Sequence, residues 1–181
     1  MSLDENEFVP FPKMPRLSRE ILITEKIDGT NAQIFIGEDG KFLVGSRTRW
    51  ITPESDNFGF ARWAYENEEQ LRELGPGRHF GEWWGSGIRR RYDLNEKRFS
   101  LFNVSRWAAD RPACCHVVPL LYQGEFSQKA IDDCLTALQC AGSQASPGFM
   151  RPEGVIVYHV AARMGFKKTI EKDEVPKGLV Q

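Results

Sequence analysis

The chain has 181 residues, enough for one domain with a sizeable core. Its 24 Lys+Arg stand against 25 Asp+Glu, a net charge of −1 that neither demands nor excludes a polyanionic partner; local clustering decides that. No apolar run approaches membrane-spanning length and the N-terminus has neither a signal core nor a basic amphipathic helix, which excludes a membrane span and leads us to expect a cytoplasmic protein.

In chain order, "FVPFPKMP" holds too many prolines for a helix or a central strand and reads as part of an extended arm over residues 1–20. "ILITEKI" is a strand. "NAQIFI-GEDG-KFLVGSR" is a hairpin turning on Gly37, Asp39 and Gly40. From about Asp56 to Leu74 the pattern is helical, with Phe60, Ala64, Leu71 and Leu74 on one face and "GPG" as the stop. "RHFGEWW" and "RFSLFNV" read as strands flanking a basic stretch, and "HVVPLLYQG" as another. The segment Ser127 to Ala141 is the clearest helix, capped by Ser127, striped by Ile131, Cys134, Leu135 and Leu138, and ended by Gly142. "EGVIVYHV" and "RMGFKKTI" close the pattern. Mostly hairpin-linked strands with two helices predict an α+β fold of antiparallel sheets with flanking helices, in a single domain over 1–181. Cys114, Cys115, Cys134 and Cys140 lack metal-ligand spacing, so zinc is not expected and small buried hydrophobes in a reducing compartment are.

"TEKIDGTN", Thr24 to Asn31, ends an apolar run on a lysine just before an Asp-Gly turn. A protonated lysine does not attack; it becomes a nucleophile when burial or nearby cations disfavour its charge. A cleft-facing strand would supply the first and "FKK" the second. Asp28 precedes Gly29, whose missing side chain permits a tight turn. Taken alone the tetrapeptide is an exposed hairpin corner, and "SRTRW", "IRRRY" and "FKK" are solvated basic loops interleaved with aromatics.

Taken together, "EKIDG", "SRTR", "FGEWWG", "FSLFNV", "EGVIV" and "FKKT" occur in an order and spacing that resembles the covalent nucleotidyltransferases, the polynucleotide ligases and mRNA capping enzymes. Within that superfamily the chain most resembles the ATP-dependent RNA ligases of the nick-sealing branch: Asn31 follows the Asp-Gly pair where DNA ligases and capping enzymes usually carry Arg, and Glu82 sits in a "GEW" context. The resemblance covers roughly Ile21 to Thr169. It implies the nucleotidyltransferase (adenylation) domain of the DNA/RNA ligase type; the C-terminal oligonucleotide-binding or helical domain that such enzymes usually carry is not expected in these 181 residues.

The implied chemistry has Lys26 attack ATP to form a lysyl-AMP, which passes to a 5′-phosphate end before a 3′-hydroxyl seals the strand. Lys167 is then the α-phosphate contact, with Lys168 as the register alternative. Glu25 corresponds to the reader of the adenine edge, Arg47 to a sugar and phosphate contact, Glu82 to the acceptor of a ribose hydroxyl and Phe102 to the ring stacked on adenine. Asp28 and Asn31 lie near the ribose, the metal or the reacting ends. Glu153, with Asp28, is expected to hold Mg²⁺ or Mn²⁺. Arg49, Arg89 and Arg90 are expected to meet nucleic acid. In related ligases an Asp often follows the stacking aromatic, whereas here it is Asn103. The partners implied are RNA strand ends, with RNA/DNA nicks left open, and a separate protein or domain that supplies nucleic-acid binding. A DNA ligase or guanylyltransferase catalytic domain is the first alternative. A non-catalytic nucleic-acid-binding module of the same fold is the second.

Overall fold

The computed structural model describes residues 6–173. The apolar run that ends on Lys26 becomes β1 (Glu20–Lys26), an inner strand of a four-stranded antiparallel sheet. It pairs with β8 (Leu120–Glu125) on one side and β9 (Gly154–His159) on the other, and β10 (Met164–Thr169) lies outside β9. The second sheet has six strands in the order β4 (Trp50–Ile51), β3 (Phe42–Gly45), β2 (Thr30–Ile36), β5 (Gly77–Gly85), β6 (Lys97–Leu101) and β7 (His116–Val117). Every pairing is antiparallel except that of β6 with β7. The hairpin forms as expected: Gly40 takes φ 84°, and Asp39 Oδ1 accepts the Lys41 N–H at the turn.

Three apolar clusters stack these layers. One face of the six-stranded sheet (Ile34, Val44, Trp83, Phe99, Leu101) packs on α1 (Phe60–Glu66) and α2 (Glu68–Leu71) through Phe60, Ala64 and Leu71. The outer face of the four-stranded sheet (Ile21, Ile23, Val155, Val157) packs on α4 (Gln128–Ala141) through Ile131, Cys134 and Leu138. Leu22, Ile27, Trp84, Tyr92, Val118 and Phe149 join the two sheets at one end. Each fully buried large apolar side chain contributes roughly 1.5–3 kcal/mol. The helix α4 starts and ends as its sequence predicts, since Ser127 Oγ accepts the Ala130 N–H and Gly142 closes it at φ 84°.

Four details differ from the sequence reading. The helix expected from Asp56 starts at Phe60, because Gly59 is left-handed and Asp56 stays outside, its carboxylate accepting the N–H groups of Asn57, Ala61 and Arg62. It also breaks at Asn67, with α2 and a 3-10 turn (Arg72–Leu74) completing the segment. "HVVPLLYQG" is two strands in different sheets, parted at Pro119, which has no N–H for a ladder. "RFSLFNV" ends as a strand at Leu101, and Asn103 Oδ1 caps a short α3 (Val104–Trp107) by accepting the Arg106 N–H.

Candidate active site

Strand alternation divides β1 into two faces. Ile21 and Ile23 belong to the cluster under α4, whereas Leu22 belongs to the one between the sheets. Lys26 follows Leu22 and Thr24 on the inter-sheet side, at the strand's end. Its side chain is 16% exposed, and Nζ sits 2.7 Å from Oε2 of Glu153, which is 4% exposed. Register explains the meeting: Lys26 lies opposite Gly154, so Glu153, just before β9, arrives beside it. A Cβ on Gly154 would come within 2.2 Å of the Lys168 carbonyl, so the approach of β9 to β10 requires glycine there.

Glu82 reaches the same place from the other sheet. On β5 it lies opposite Asn31 of β2 and Ser100 of β6, and its Oε1 accepts the Gly29 N–H at 3.0 Å. Gly29 fits against the backbone of β5; an added Cβ would meet the Trp83 carbonyl oxygen at 2.3 Å. Burial pushes the Glu82 carboxyl up to about 7, opposed by the Gly29 N–H and the Lys26 charge and reinforced by Glu153 and Asp28. One lysine and three carboxylates thus share one electrostatic neighbourhood. The cations expected to crowd Lys26 are not its nearest partners; Glu153 is.

The turn after Lys26 is clasped from above. Tyr92, fully buried, accepts the Asp28 N–H on its hydroxyl at 2.7 Å. Arg90 Nε donates to Asp28 Oδ2 at 3.0 Å and Arg90 Nη1 to the Arg151 carbonyl, while Arg89 Nε donates to the Gly29 carbonyl at 2.9 Å. Arg89 and Arg90, expected to meet nucleic acid, bond to residues 28–29 while Arg89 keeps 56% of its side chain exposed. Arg89, Arg91, Tyr92 and Asp93 all have positive φ, an unfavourable geometry for side-chain-bearing residues that these contacts hold in place. Tyr92 was missed from sequence, where the only signal was an aromatic ending a basic run.

The other expected residues divide between the cleft and elsewhere. Lys167 pairs with Ile156, which pairs with Thr24, so Lys167 shares the Lys26 face. Lys168, the register alternative, belongs to the Glu25 row on the α4 side and lies 3.7 Å from Asp173. Glu25 is 1% exposed and accepts from Ser143 Oγ and from the N–H groups of Gln144 and Ala145, and so anchors that loop. Burial raises its pKa, and the three donors oppose that shift. Arg49, expected to meet nucleic acid, is exposed and donates to Ser55 and to the Asp56 carbonyl. Arg47 is exposed in the turn between β3 and β4, and Asn31 is exposed at the start of β2. Phe102, 38% exposed, follows β6 with its N–H on the Phe80 carbonyl; Phe99 and Leu101 are the buried aromatic and aliphatic of that strand.

Among the described residues no group of three or more His, Cys, Asp or Glu is arranged to hold an ion alone. The oxygens of Glu153 and Asp28 nevertheless suit a hard divalent cation that fills its shell with substrate phosphates and water, the usual arrangement for Mg²⁺. No helix among the described residues is long and apolar enough to cross a membrane.

A sequence profile described as RNA ligase matches residues 19–173, a span that holds every residue of the cleft. The chain belongs to the RNA ligase family. The fold agrees: the Naegleria gruberi RNA ligase, as a variant solved with ATP and Mn, aligns at a TM-score of 0.64 and 20% identity over 86% of this chain and 51% of that one. The same ligase solved with PPi aligns at a TM-score of 0.63 and 19% identity, covering 83% and 48%. A further variant with AMP and Mn aligns at 0.62 and 20%, covering 83% and 49%. This RNA ligase family member therefore spans about half the length of the solved ligases it matches, and at such identity they show the fold: mixed α/β with antiparallel sheets. No curated protein matches the sequence.

Proposed function

We propose that the chain is the nucleotidyltransferase domain of an ATP-dependent RNA ligase that works through a covalent lysyl-AMP. The observation that carries this reading is Lys26 at the cleft edge of β1, held at 2.7 Å by Glu153 and facing Glu82 across the two sheets. In the first step Lys26 Nζ, once it has left Glu153 and lost its proton, attacks the α-phosphorus of ATP. An N–P bond forms, the bond to the bridging oxygen breaks, and pyrophosphate departs with that electron pair. AMP then moves to a 5′-phosphate end of RNA, and a 3′-hydroxyl displaces it to form the phosphodiester.

Each remaining cleft residue has a role that suits its placement. Lys167, on the Lys26 face, offsets charge developing on the α-phosphate. Glu82 accepts a ribose hydroxyl, Phe102 offers a ring face to adenine, and Arg47 brings a guanidinium fork to sugar and phosphate from the exposed turn. Asn31, opposite Glu82, lies where the reacting ends meet. Glu153 and Asp28 would hold Mg²⁺ or Mn²⁺, which supplies charge neutralisation at the phosphates. Matched ligase structures hold ATP and Mn, which favours this assignment.

Intact mass after incubation with ATP and Mg²⁺ tests the proposal. The expected result is an increment of one AMP on the parent chain, none with GTP, and none on Lys26→Ala. A Lys26→Ala chain that still gains the increment would refute the assignment.

A further inference from the structure

The cleft face of the six-stranded sheet does not stop at Glu82. Along β5 the same face carries Phe80 and then Arg78, and across the ladder Gln33 and Phe35 of β2 stand opposite them. Trp50 of β4 joins this face through its pairing with Gly45, which itself pairs with Gln33. A Cβ at Gly45 would approach Gln33 Cγ to 2.8 Å, so glycine there makes room for Gln33. The Phe35 and Trp50 rings lie 6.2 Å apart, and the Arg78 guanidinium carbon sits 4.8 Å from the first centroid and 5.6 Å from the second. Trp50 and Phe80 are 44% and 51% exposed. Among the described residues no carboxylate pairs with Arg78, whose polar partner is Gln33 Oε1 at 3.5 Å.

An apolar patch meant for a helix or a core would not place an arginine between its rings and amides around them. Half-open rings, a cation without a counter-ion and amide groups on a flat sheet are what unpaired bases and their phosphates require. The chain's overall charge supplies no general pull on a polyanion, so binding here depends on stacking. A duplex hides its ring faces, which makes a single strand the better fit. The patch is also continuous with the reaction cleft. Arg78 is four residues from Glu82 on β5, about 13 Å, a reach of roughly four stacked nucleotides at ~3.4 Å each.

We infer that Phe35, Trp50, Arg78 and Phe80 form a docking platform for a single-stranded stretch of the RNA whose end is joined at Lys26. This rests on the ligase reading above. The platform steers the strand by stacking its bases on the rings, while Arg78 meets one phosphate or base face.

The test measures binding of a fluorescent, 5′-phosphorylated oligoadenylate to the full chain and its variants by anisotropy, beside AMP capture at Lys26 by mass. Trp50→Ala and Phe35→Ala should each weaken single-strand binding roughly tenfold, whereas Trp50→Phe should stay within about threefold of the parent because a ring remains. Arg78→Gln should reduce the slope of log affinity against log salt by about 0.7. A blunt RNA duplex should bind these variants and the parent alike, and AMP capture should be unchanged in all of them. Oligoadenylate binding that is undetectable in the parent, or unaffected by the alanine variants, would overturn the platform. So would an equal loss of duplex binding, or variants that change only the oligomeric mass, which would assign the face to a second copy. If the parent captures no AMP, the catalytic reading fails while the binding measurement still judges the platform on its own.

Discussion

Two basic turns read alike in the sequence, "SRTRW" and "IRRRY", yet the structure uses them in opposite ways. In the first, Arg47 stays exposed between β3 and β4 while Arg49 ties down its own loop at Ser55 and Asp56. In the second, Arg89 and Arg90 bond across to the Asp28–Gly29 turn, with more than half of the Arg89 side chain still exposed, and Tyr92 is buried. A basic run is therefore no measure of a nucleic-acid surface. What decides is whether carboxylates and carbonyls of another segment come within reach, and here the strained backbone of 89–93 brings them there.

The largest expected effect sharpens the second turn's role through Glu82, which accepts the Gly29 N–H while Arg89 donates to the Gly29 carbonyl. Because its folded pKa, about 7, exceeds the ordinary carboxylate value, the folded chain holds an extra proton in between. The stability this group contributes is full below about pH 4.5 and falls as pH rises through about 7. Glu82→Gln should flatten that decline, by an amount on the order of 3 kcal/mol between the two limits, read from urea melts of the ligand-free protein across pH. An unchanged profile would mean that Glu82 titrates normally.

Next comes the clasp itself. Arg90→Ala leaves Asp28 without its closest cation and should cost about 2 kcal/mol of stability, and AMP capture should slow because the turn behind Lys26 loosens. An Arg90→Ala chain as stable as the parent would return this turn to the class of solvated loops.

The smallest effect on stability belongs to the first turn, where it separates fold from chemistry. Arg47→Ala should shift stability by no more than about 0.5 kcal/mol yet slow AMP capture roughly 10²-fold, the cost of losing one donor to developing charge. Arg49→Ala should do the reverse, loosening the 52–56 loop with little direct effect on capture. If both variants behave alike, the distinction drawn between the two arginines is broken.

Much of this was legible in one dimension because it is local. The strand in "ILITEKI", the Gly-Asp-Gly turn and the Ser127 to Gly142 helix follow from backbone sterics and a few side-chain caps, and the structure has all three. The order of short motifs gave the ligase resemblance, and the family match covers residues 19–173. What the sequence left open is non-local. Glu25 and Lys26 are neighbours in the chain, but a strand sends them to opposite faces, and only the packing of the 143–145 loop tells which carboxylate is an anchor. Lys167 and Lys168 pose the same problem, settled by the pairing of three strands.

The amino-acid sequence by itself determined most of the elements, the lysine before an Asp-Gly turn and the family, since propensity, turn chemistry and motif spacing act over a few residues. Tertiary structure alone decided which charges meet: Lys26 with Glu153, Asp28 with Arg90, and Arg78 with the rings of Phe35 and Trp50. Electrostatic and stacking contacts depend on distances of a few ångströms between segments far apart in the chain, and those distances are set by how the two sheets register and pack.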